Sequence, residues 1–357
     1  MTSQAFELAR LGNAYSDGAL SNRNLIINGA MQINQRYGYN SPQTDWNSYS
    51  ASDRFFKRTS GSATSTVQTR NDDAPDGFVF SDKFTVSLAN SDTYLARGTT
   101  LEWNNITHLR SGYSDAKTIT LSFWVKASIA GVYCFAFTNH AASHSAHDAD
   151  TSYVTEYTIN AANTWEKKII TVTLPTSTPS NWDGSSGANT IGLLLCWSLS
   201  GTSSYGTSTT DTWLSGDYRR TSNQTNMGAT LNATWQITGV QLEVGDTATP
   251  FEYRSYGDEL ARCQRYYERW DFWKGELSSG PTYLTNGGNI PLGNGFLLPV
   301  TMRAAPSGTV VSNEHSSNSN SGSLSELSIE GGRYKCNMNV TAGTVSRTDI
   351  CSMDAEL

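Results

Sequence analysis

Three histidines form the densest group of metal-binding residue types in the chain. His140, His144 and His147 lie within the stretch 139–151, with Asp148 beside them. Neutral imidazole nitrogens bind zinc or nickel, and on a helix the three positions would share one face. The stretch is rich in Ala, Ser and Asp and lies between predicted strands, which is typical of a loop. The histidines are therefore metal candidates by residue type alone, and we assign no metal site to the chain.

Clustered carboxylates raise the question of hydrolysis. Asp72, Asp73 and Asp76 form one cluster, and Asp148 and Asp150 form another. A pair of carboxylates at a suitable separation can cleave a glycosidic bond. Both clusters lie in polar stretches typical of loops, and no spacing singles out an acid and a nucleophile. The chain also lacks the Gly-x-Ser-x-Gly motif of a serine nucleophile. We therefore predict no catalytic residue and no enzymatic activity.

Aromatic residues in loops supply a different chemistry, the recognition of sugars. The apolar C–H face of a sugar ring packs on a flat aromatic ring, and polar neighbours then bind its hydroxyl groups. Six loop aromatics are the predicted carbohydrate contacts: Tyr37, Trp46, Trp182, Tyr205, Trp213 and Tyr218. Tyr39 and Tyr49 are further loop candidates for the same role. Packing in a core or an interface is the alternative for each of them. Four tryptophans in predicted strands are expected in the core: Trp124, Trp165, Trp197 and Trp235.

The composition of the 357-residue chain favours a globular protein made of strands. Hydrophobic residues make up 37% of the chain and charged residues 16%, and there are 10 Trp, 17 Tyr and 12 Phe. A disordered chain lacks so many aromatic residues, and a long coiled coil is dominated by Ala, Glu, Lys, Leu and Arg. β-Branched and aromatic residues separated by polar turn clusters indicate many short strands.

Charge and hydropathy argue against two classes of partner. The formal net charge is −7 and no basic block occurs, so we expect no nucleic-acid partner. No run of about 18 apolar residues is present, so we expect no membrane insertion. Residues 1–21 lack the pattern of a secretory signal. The five cysteines are scattered and form no Cys-x-x-Cys pair, which indicates reduced thiols and assembly in the cytoplasm.

Strand patterns fill the region from residue 24 to about residue 254. Apolar residues alternate through 118–126, and 190–199 is apolar on both faces, which is typical of a central strand. The other predicted strands are 24–29, 78–80, 83–88, 132–137, 165–174 and 233–243. Seven or more strands joined by loops rich in Ser, Gly and Asn favour a two-sheet sandwich.

The rest of the chain divides into three predicted segments around the sandwich of residues 23–254. Residues 1–22 form a short amino-terminal segment in which Phe6, Leu8 and Leu11 supply apolar surface. Residues 255–271 predict a linking helix, with Ser255 as its N-cap and apolar residues at helical spacing. Residues 272–357 predict a small β-rich domain, with an exposed Ser/Asn loop over 316–323 and a hairpin over 327–338.

Three segments carry a resemblance to a known group of proteins. They read Asn-Leu-Ile-Ile-Asn-Gly-Ala-Met-Gln-Ile-Asn-Gln-Arg at 24–36, Ser-Asp-Arg-Phe at 52–55, and Ile-Thr-Gly-Val-Gln-Leu-Glu-Val-Gly at 237–245, continuing as Thr-Pro-Phe-Glu-Tyr-Arg-Ser-Tyr-Gly-Asp-Glu-Leu at 249–260. In these segments the chain resembles a widespread group of bacteriophage tail-fibre and virion-appendage proteins, especially from marine phages. The resemblance spans about residues 20–270.

This resemblance implies a jelly-roll fold like that of carbohydrate-binding modules, in a protein that forms a homotrimer. Jelly-roll modules often hold a structural calcium ion between the first and last strands. The matching stretches here are 28–32 and 238–240, where neutral side chains replace the carboxylates. Calcium prefers several oxygen ligands with net negative charge, so calcium is disfavoured and we predict no cofactor.

The expected function is attachment without catalysis. We expect a structural protein of a phage virion, a trimeric tail fibre or appendage that binds a glycan on the host surface. Residues 1–22, with Phe6, Leu8 and Leu11, are expected to dock on other tail or capsid proteins. Two alternatives remain at this point. One is a purely architectural decoration of capsid or tail, and the other is a polysaccharide depolymerase.

Overall fold

Alternating side chains build two facing antiparallel sheets in the amino-terminal part of the chain. The structure is a computed structural model that describes residues 22–36, 48–49, 51–59, 66–89, 94–139, 151–176, 191–201, 205–278, 290–317, 319–338 and 344–356. The first twelve strands are β1 (Ser48–Tyr49), β2 (Phe55–Thr59), β3 (Thr66–Asn71), β4 (Ser81–Val86), β5 (Leu95–Glu102), β6 (Thr118–Ala127), β7 (Gly131–Thr138), β8 (Thr151–Ile159), β9 (Glu166–Thr173), β10 (Ile191–Ser200), β11 (Trp213–Ser215) and β12 (Thr234–Val244).

These strands form a jelly-roll β-sandwich, as the sequence predicts. One sheet has seven strands in the order β1-β2-β5-β10-β7-β8-β11, and the other has five in the order β3-β4-β12-β6-β9. Chain neighbours such as β4 and β5 lie in opposite sheets, so the chain crosses repeatedly between the two layers. Short helices occur at Trp103–Ile106 (α1) and Tyr256–Gln264 (α2). Across the described ranges, no helix is long and apolar enough to cross a bilayer.

The core of the sandwich lies between the two sheets and is rich in aromatic rings. Trp197 on β10 is fully buried and packs edge-on against Phe123 and Phe135, with ring centroids 5.6 and 5.0 Å apart. Trp235 on β12 is also fully buried. These two tryptophans confirm the prediction of core positions. Trp124 and Trp165 are instead half-buried.

A buried ion pair joins the two sheets. Arg97 on β5 donates to the carboxylate of Asp82 on β4, and both side chains are fully buried. Arg97 also lies 5.4 and 5.6 Å from the ring centroids of Phe55 and Phe84. Burial lowers the pKa of Arg97 to about 10, although the charge of Asp82 opposes this shift. The guanidinium therefore remains charged at neutral pH.

Two predicted strands of the sandwich are wrong. Residues 24–29 form an irregular segment in which Leu25 N donates to Leu242 O at 2.8 Å, and Asn28 has a φ of 62°. Residues 78–80 precede β4 and are not in a strand. Asn28 is in the left-handed region, and this turns the chain out of the extended conformation that a strand needs.

The linking helix is shorter than predicted. α2 ends at Gln264, and a strand, β13 (Tyr267–Ser278), follows where the prediction continued the helix to residue 271. The sequence from Tyr267 onward contains Tyr, Trp and Phe, which fit a pleated surface well, and β13 pairs with a distant strand. Pairing of β13 therefore outweighs the helical spacing of Leu260, Cys263, Tyr267 and Trp270.

The chain separates into two compact units, residues 1–259 with 357, and residues 260–356. The second unit contains β13 and five further strands: β14 (Ile290–Leu297), β15 (Ser307–Ser317), β16 (Ser319–Ser328), β17 (Gly331–Met338) and β18 (Thr344–Asp354). They form three-stranded sheets in the orders β13-β18-β15 and β14-β17-β16. The hairpin of β16 and β17 is confirmed. The Ser/Asn loop predicted over 316–323 is wrong, because its described residues belong to β15 and β16.

Candidate functional site

The outer face of the seven-stranded sheet carries a row of small residues at its centre. Gly98 on β5, Cys196 on β10 and Ala136 on β7 are directly opposite one another in the strand register, and all three are buried. Phe56 on β2 is opposite Gly98. A Cβ atom at position 98 would lie only 2.1 Å from the ring of Phe56, so this ring extends over the glycine. The small residues leave room for larger side chains to lie flat on the sheet.

Tyr205 lies on this surface at the start of a segment that crosses the sheet. Its φ of 59° turns the backbone, and Arg219 N donates to its carbonyl oxygen at 2.8 Å. The ring of Tyr205 packs 4.9 Å from the buried ring of Tyr94. Arg58 donates to the Tyr205 hydroxyl at 3.2 Å, with its guanidinium 5.4 Å from the ring centroid. The half-buried ring is thus fixed on several sides.

Arg219 is a further contact of the Tyr205 ring. Its guanidinium lies 5.0 Å from the Tyr205 ring centroid, a cation–π distance. It also forms two hydrogen bonds with Asp217, from Nε to Oδ1 at 2.6 Å and from Nη2 to Oδ2 at 2.9 Å. Burial alone would lower the pKa of Arg219, but Tyr94, Cys196 and Asp217 raise it above the usual value. Arg219 is therefore a permanent, immobilised cation.

Tyr218 lies on the same surface because of two local features. Its backbone N–H donates to Oγ of Ser152 at 2.9 Å, and this hydroxyl donates to Gly216 O at 2.5 Å. Gly216 has a φ of 123°, and a Cβ atom there would lie 2.8 Å from the Tyr218 ring. The glycine therefore allows the ring to fold back over its own backbone. Tyr205 and Tyr218 both pack against the apolar cluster that contains Phe56, Tyr94 and Cys196.

Tyr49 marks the other end of this surface, next to Phe56, with ring centroids 5.9 Å apart. The guanidinium groups of Arg36 and Arg54 lie 5.6 and 5.9 Å from the Tyr49 ring centroid. The Tyr49 hydroxyl is 3.4 Å from Oγ1 of Thr100. We call the set of Tyr49, Tyr205 and Tyr218, with Arg54, Arg58 and Arg219 beside them, the tyrosine face.

The tyrosine face combines two kinds of surface, aromatic and cationic. Half-buried aromatic rings offer flat apolar surface, and the partly exposed guanidinium of Arg58 offers a hydrogen-bond donor beside them. Arg54 and Arg219 are buried and support the rings from beneath. A sugar presents apolar C–H faces together with hydroxyl or acidic groups, and it needs both kinds of partner. The described residues gather no group of three or more His, Cys, Asp or Glu side chains that could hold a metal ion.

The predicted contacts fall into three groups. Tyr205 and Tyr218 lie together on the tyrosine face. Trp213 is elsewhere: its Nε1 donates to Thr173 O at 2.9 Å, and its ring lies 5.4 Å from that of Tyr153, packed against the main core. The remaining predicted residues lie outside the described residues: Tyr37, Trp46, Trp182, the docking residues Phe6, Leu8 and Leu11, and the histidines His140, His144 and His147.

The arginines of the tyrosine face are the residues that sequence reasoning missed. Arg58 follows the alternation of β2, opposite Ala96, so strand periodicity could have placed it on an outer face. Nothing in the sequence around Arg219 links it to Tyr205, because the two meet through the folding of an irregular segment.

The first carboxylate cluster does not resemble an acid–base pair. Asp73 accepts hydrogen bonds from Lys126, from Gln236 Nε2 at 3.2 Å and from Trp165 Nε1 at 3.3 Å. Burial would raise the pKa of Asp73, but these hydrogen bonds outweigh it and lower the pKa. Asp73 is thus an ionised partner in a surface network. Asp148 and Asp150 lie outside the described residues.

Comparisons with known proteins give structural likenesses alone. No protein-family model and no curated protein matches the sequence. The enzymatically active domain of tailspike protein 4 from bacteriophage CBA120 matches with a TM-score of 0.34 and 12% identity, over 62% of this chain and 22% of that one. The chain thus spans about a fifth of the length of this tailspike domain.

Carbohydrate-binding modules are also among the matching structures. A family 11 module from Clostridium thermocellum, in complex with a β-1,3-1,4-mixed-linked tetrasaccharide, has a TM-score of 0.31 and 10% identity, over 55% of this chain and 91% of its own. The CBM22-1 xylan-binding domain from Paenibacillus barcinonensis has a TM-score of 0.26 and 10% identity, over 59% and 99%. The β-sandwich of this chain is established by its strand order, and likenesses at these TM-scores assign it no activity.

Proposed function

We propose that the chain is a structural protein of a bacteriophage virion that attaches to a glycan on the host surface without cleaving it. The observation that carries this proposal is the tyrosine face. There, Tyr205 and Tyr218 lie on one apolar surface with Arg58 and Arg219 directly beside Tyr205. The resemblance of residues 24–36 and 237–260 to phage tail-fibre proteins supports the virion origin.

The fixed geometry of the tyrosine face favours binding. A side chain that is already immobile loses little entropy when a ligand arrives. Asp217 and Ser152 fix Arg219 and Tyr218, and Arg58 fixes the Tyr205 hydroxyl. Such a surface binds a rigid sugar ring better than one that must first become ordered.

The oligomeric state, the virion contacts and the location that we propose rest on the resemblance. The protein acts as a homotrimer and contacts other tail or capsid proteins through residues 1–22. It is assembled in the host cytoplasm and carried on the surface of the virion. Glycan is its external partner, with neither nucleic acid nor membrane insertion involved and no cofactor required.

A binding assay combined with a product assay tests this function. Purified protein is incubated with host cells and with their isolated surface polysaccharide, and the size distribution of the polysaccharide is then measured. The proposal predicts retention on cells and an unchanged size distribution. Shortened polysaccharide would identify a depolymerase, and trimers without retention would identify an architectural protein. Either result would overturn the proposal.

A further inference from the structure

The guanidinium group of Arg254 is enclosed by oxygen atoms. Its Nη1 donates to Ile26 O at 3.0 Å and to Glu259 Oε2 at 3.4 Å. Its Nη2 donates to Asn24 O and to Glu252 Oε2, the latter at 3.1 Å. The Arg254 side chain is 8% exposed, and those of Glu252 and Glu259 are 17% and 10% exposed. Two backbone carbonyls and two carboxylates thus surround one nearly buried cation.

The same two carboxylates bind the backbone of the amino-terminal segment. Glu252 Oε2 accepts from Asn24 N at 2.9 Å, and Glu259 Oε1 accepts from Asn28 N. Burial would raise the pKa of Glu252, but the backbone N–H of Asn24 and the charge of Arg254 hold it below its usual value. Both carboxylates therefore bridge the Arg254 cation and the residues 24–28.

The segment 24–28 is in turn attached to the last strand of the sandwich. Asn24 Oδ1 accepts from Leu242 N at 3.1 Å, and Asn24 Nδ2 donates to Val240 O at 3.1 Å. A Cβ atom at Gly29 would lie 2.1 Å from Val240 O, so the two backbones approach as closely as glycine allows. Arg254, the two glutamates and Asn24 form one hydrogen-bonded unit that closes the sandwich.

A set of carbonyl and carboxylate oxygens is what a calcium ion takes as ligands. Jelly-roll modules often hold calcium between their first and last strands, and the matching stretches here are 28–32 and 238–240. The unit around Arg254 contacts both stretches, because Glu259 accepts from Asn28 N and Asn24 Nδ2 donates to Val240 O. The residues present do not fit that ion, because a guanidinium already occupies the oxygens. A divalent ion beside a buried arginine would also be repelled by its charge.

We propose that Arg254 is a built-in cation that takes the place of a structural metal ion and fastens the amino-terminal segment to the last strand. Closure of the sandwich then requires no divalent metal. The charge stays in the chain at every calcium concentration, because it is covalently attached. Arg254 thus keeps the structural role of the metal cation, and the fold does not depend on free calcium.

Thermal unfolding of the full chain tests the proposal directly. The melting temperature of the unaltered protein is measured in excess EDTA and in millimolar calcium, and the two values are expected to agree. Arg254→Met removes the charge and is expected to lower the melting temperature by at least about 5 °C, because two buried carboxylates lose their partner. Arg254→Lys keeps the charge but loses the paired Nη1 and Nη2 donors, so a smaller fall in melting temperature is expected. Arg110→Met removes a solvent-exposed ion pair with Asp115 and serves as the matched control, with little expected change.

Hydrogen exchange shows whether the effect is local. In Arg254→Met, the amides of Asn24, Leu25 and Asn28 are expected to exchange about tenfold faster, while those of β10 keep their protection. A fall in melting temperature on adding EDTA to the unaltered protein would overturn the proposal. So would an Arg254→Met protein that melts like Arg110→Met. If Arg254→Met does not fold, the EDTA comparison and Arg254→Lys decide the matter. A calcium-dependent melting temperature of the unaltered protein contradicts the proposal, and so does an Arg254→Lys protein that also fails to fold.

Discussion

The guanidinium group of Arg219 lies 5.0 Å from the ring centroid of Tyr205, and the backbone N–H of Arg219 donates to the Tyr205 carbonyl oxygen at 2.8 Å. The two residues therefore fix each other through side chain and backbone. Asp217 holds the guanidinium from its other edge. This arrangement keeps the aromatic surface ordered, which supports the attachment proposed above, because an ordered surface loses little entropy on binding.

Arg219→Met is expected to destabilise the sandwich by about 2–4 kcal/mol, since it removes a buried charge-assisted pair and leaves Asp217 without that partner. Urea unfolding measures the change. The exposed Arg110→Met provides the control, with an expected effect below about 0.5 kcal/mol. Equal effects of the two substitutions would contradict the role assigned to Arg219.

Gly216→Ala is expected to displace the Tyr218 ring. The added Cβ atom would lie 2.8 Å from the ring, and the φ of 123° is unfavourable for alanine. A loss of about 1–3 kcal/mol in stability is expected, together with weaker glycan binding. Gly257→Ala is the control, because a Cβ atom there meets nothing within 4 Å and alanine favours a helix. Unchanged binding by a folded Gly216→Ala protein would show that the position of Tyr218 is unimportant.

Glu268 makes stability depend on pH. Burial raises the pKa of Glu268 to about 7 from its usual 4.5, and its strand partner is the buried Met353. Between these two values the folded chain retains a proton that the unfolded chain has released, so stability decreases as pH rises through this range. Glu268→Gln is expected to flatten this decrease in thermal melts between pH 4.5 and pH 8. A slope unchanged by the substitution would place its origin in another group.

The ion pair between Asp82 and Arg97 is expected to be strongly coupled. Asp82→Asn alone should cost about 3–5 kcal/mol, because it leaves a fully buried guanidinium without its carboxylate. The double substitution Asp82→Asn with Arg97→Met should cost clearly less than the sum of the single ones. A double-mutant cycle by urea unfolding measures this coupling, and additive effects would argue against a direct pair.

Much of the sandwich could be predicted because its side chains alternate. The predicted strands over 118–126, 132–137 and 233–243 match β6, β7 and β12 to within about two residues at each end. The prediction of a central strand over 190–199 is confirmed, since every residue of β10 is buried. Apolar periodicity is a local property, so sequence alone is sufficient to detect it.

Strand β5 could not be found in this way. Its residues Ala96, Gly98 and Thr100 are neither large nor apolar enough to signal a strand, yet all are buried. Gly98 is small because the ring of Phe56 lies over it, and that contact depends on the order of strands in the sheet. The pairing of Tyr205 with Arg58 has the same origin, because the two residues are far apart in the chain and meet through that order. Residue type alone made Tyr205 and Tyr218 candidates, but the arginines beside them could be identified only from the folded structure.

The most direct test of the account is the affinity of the purified chain for host-surface polysaccharide, measured at equilibrium for three tyrosine substitutions. Tyr205→Ala and Tyr218→Ala are expected to weaken binding by at least about tenfold, as for central aromatic residues of an interface. Tyr253→Ala, at an exposed tyrosine that packs on Phe78 and Phe251 rather than on the tyrosine face, should bind normally. Folded Tyr205→Ala and Tyr218→Ala proteins that bind as tightly as the unaltered chain would contradict the account.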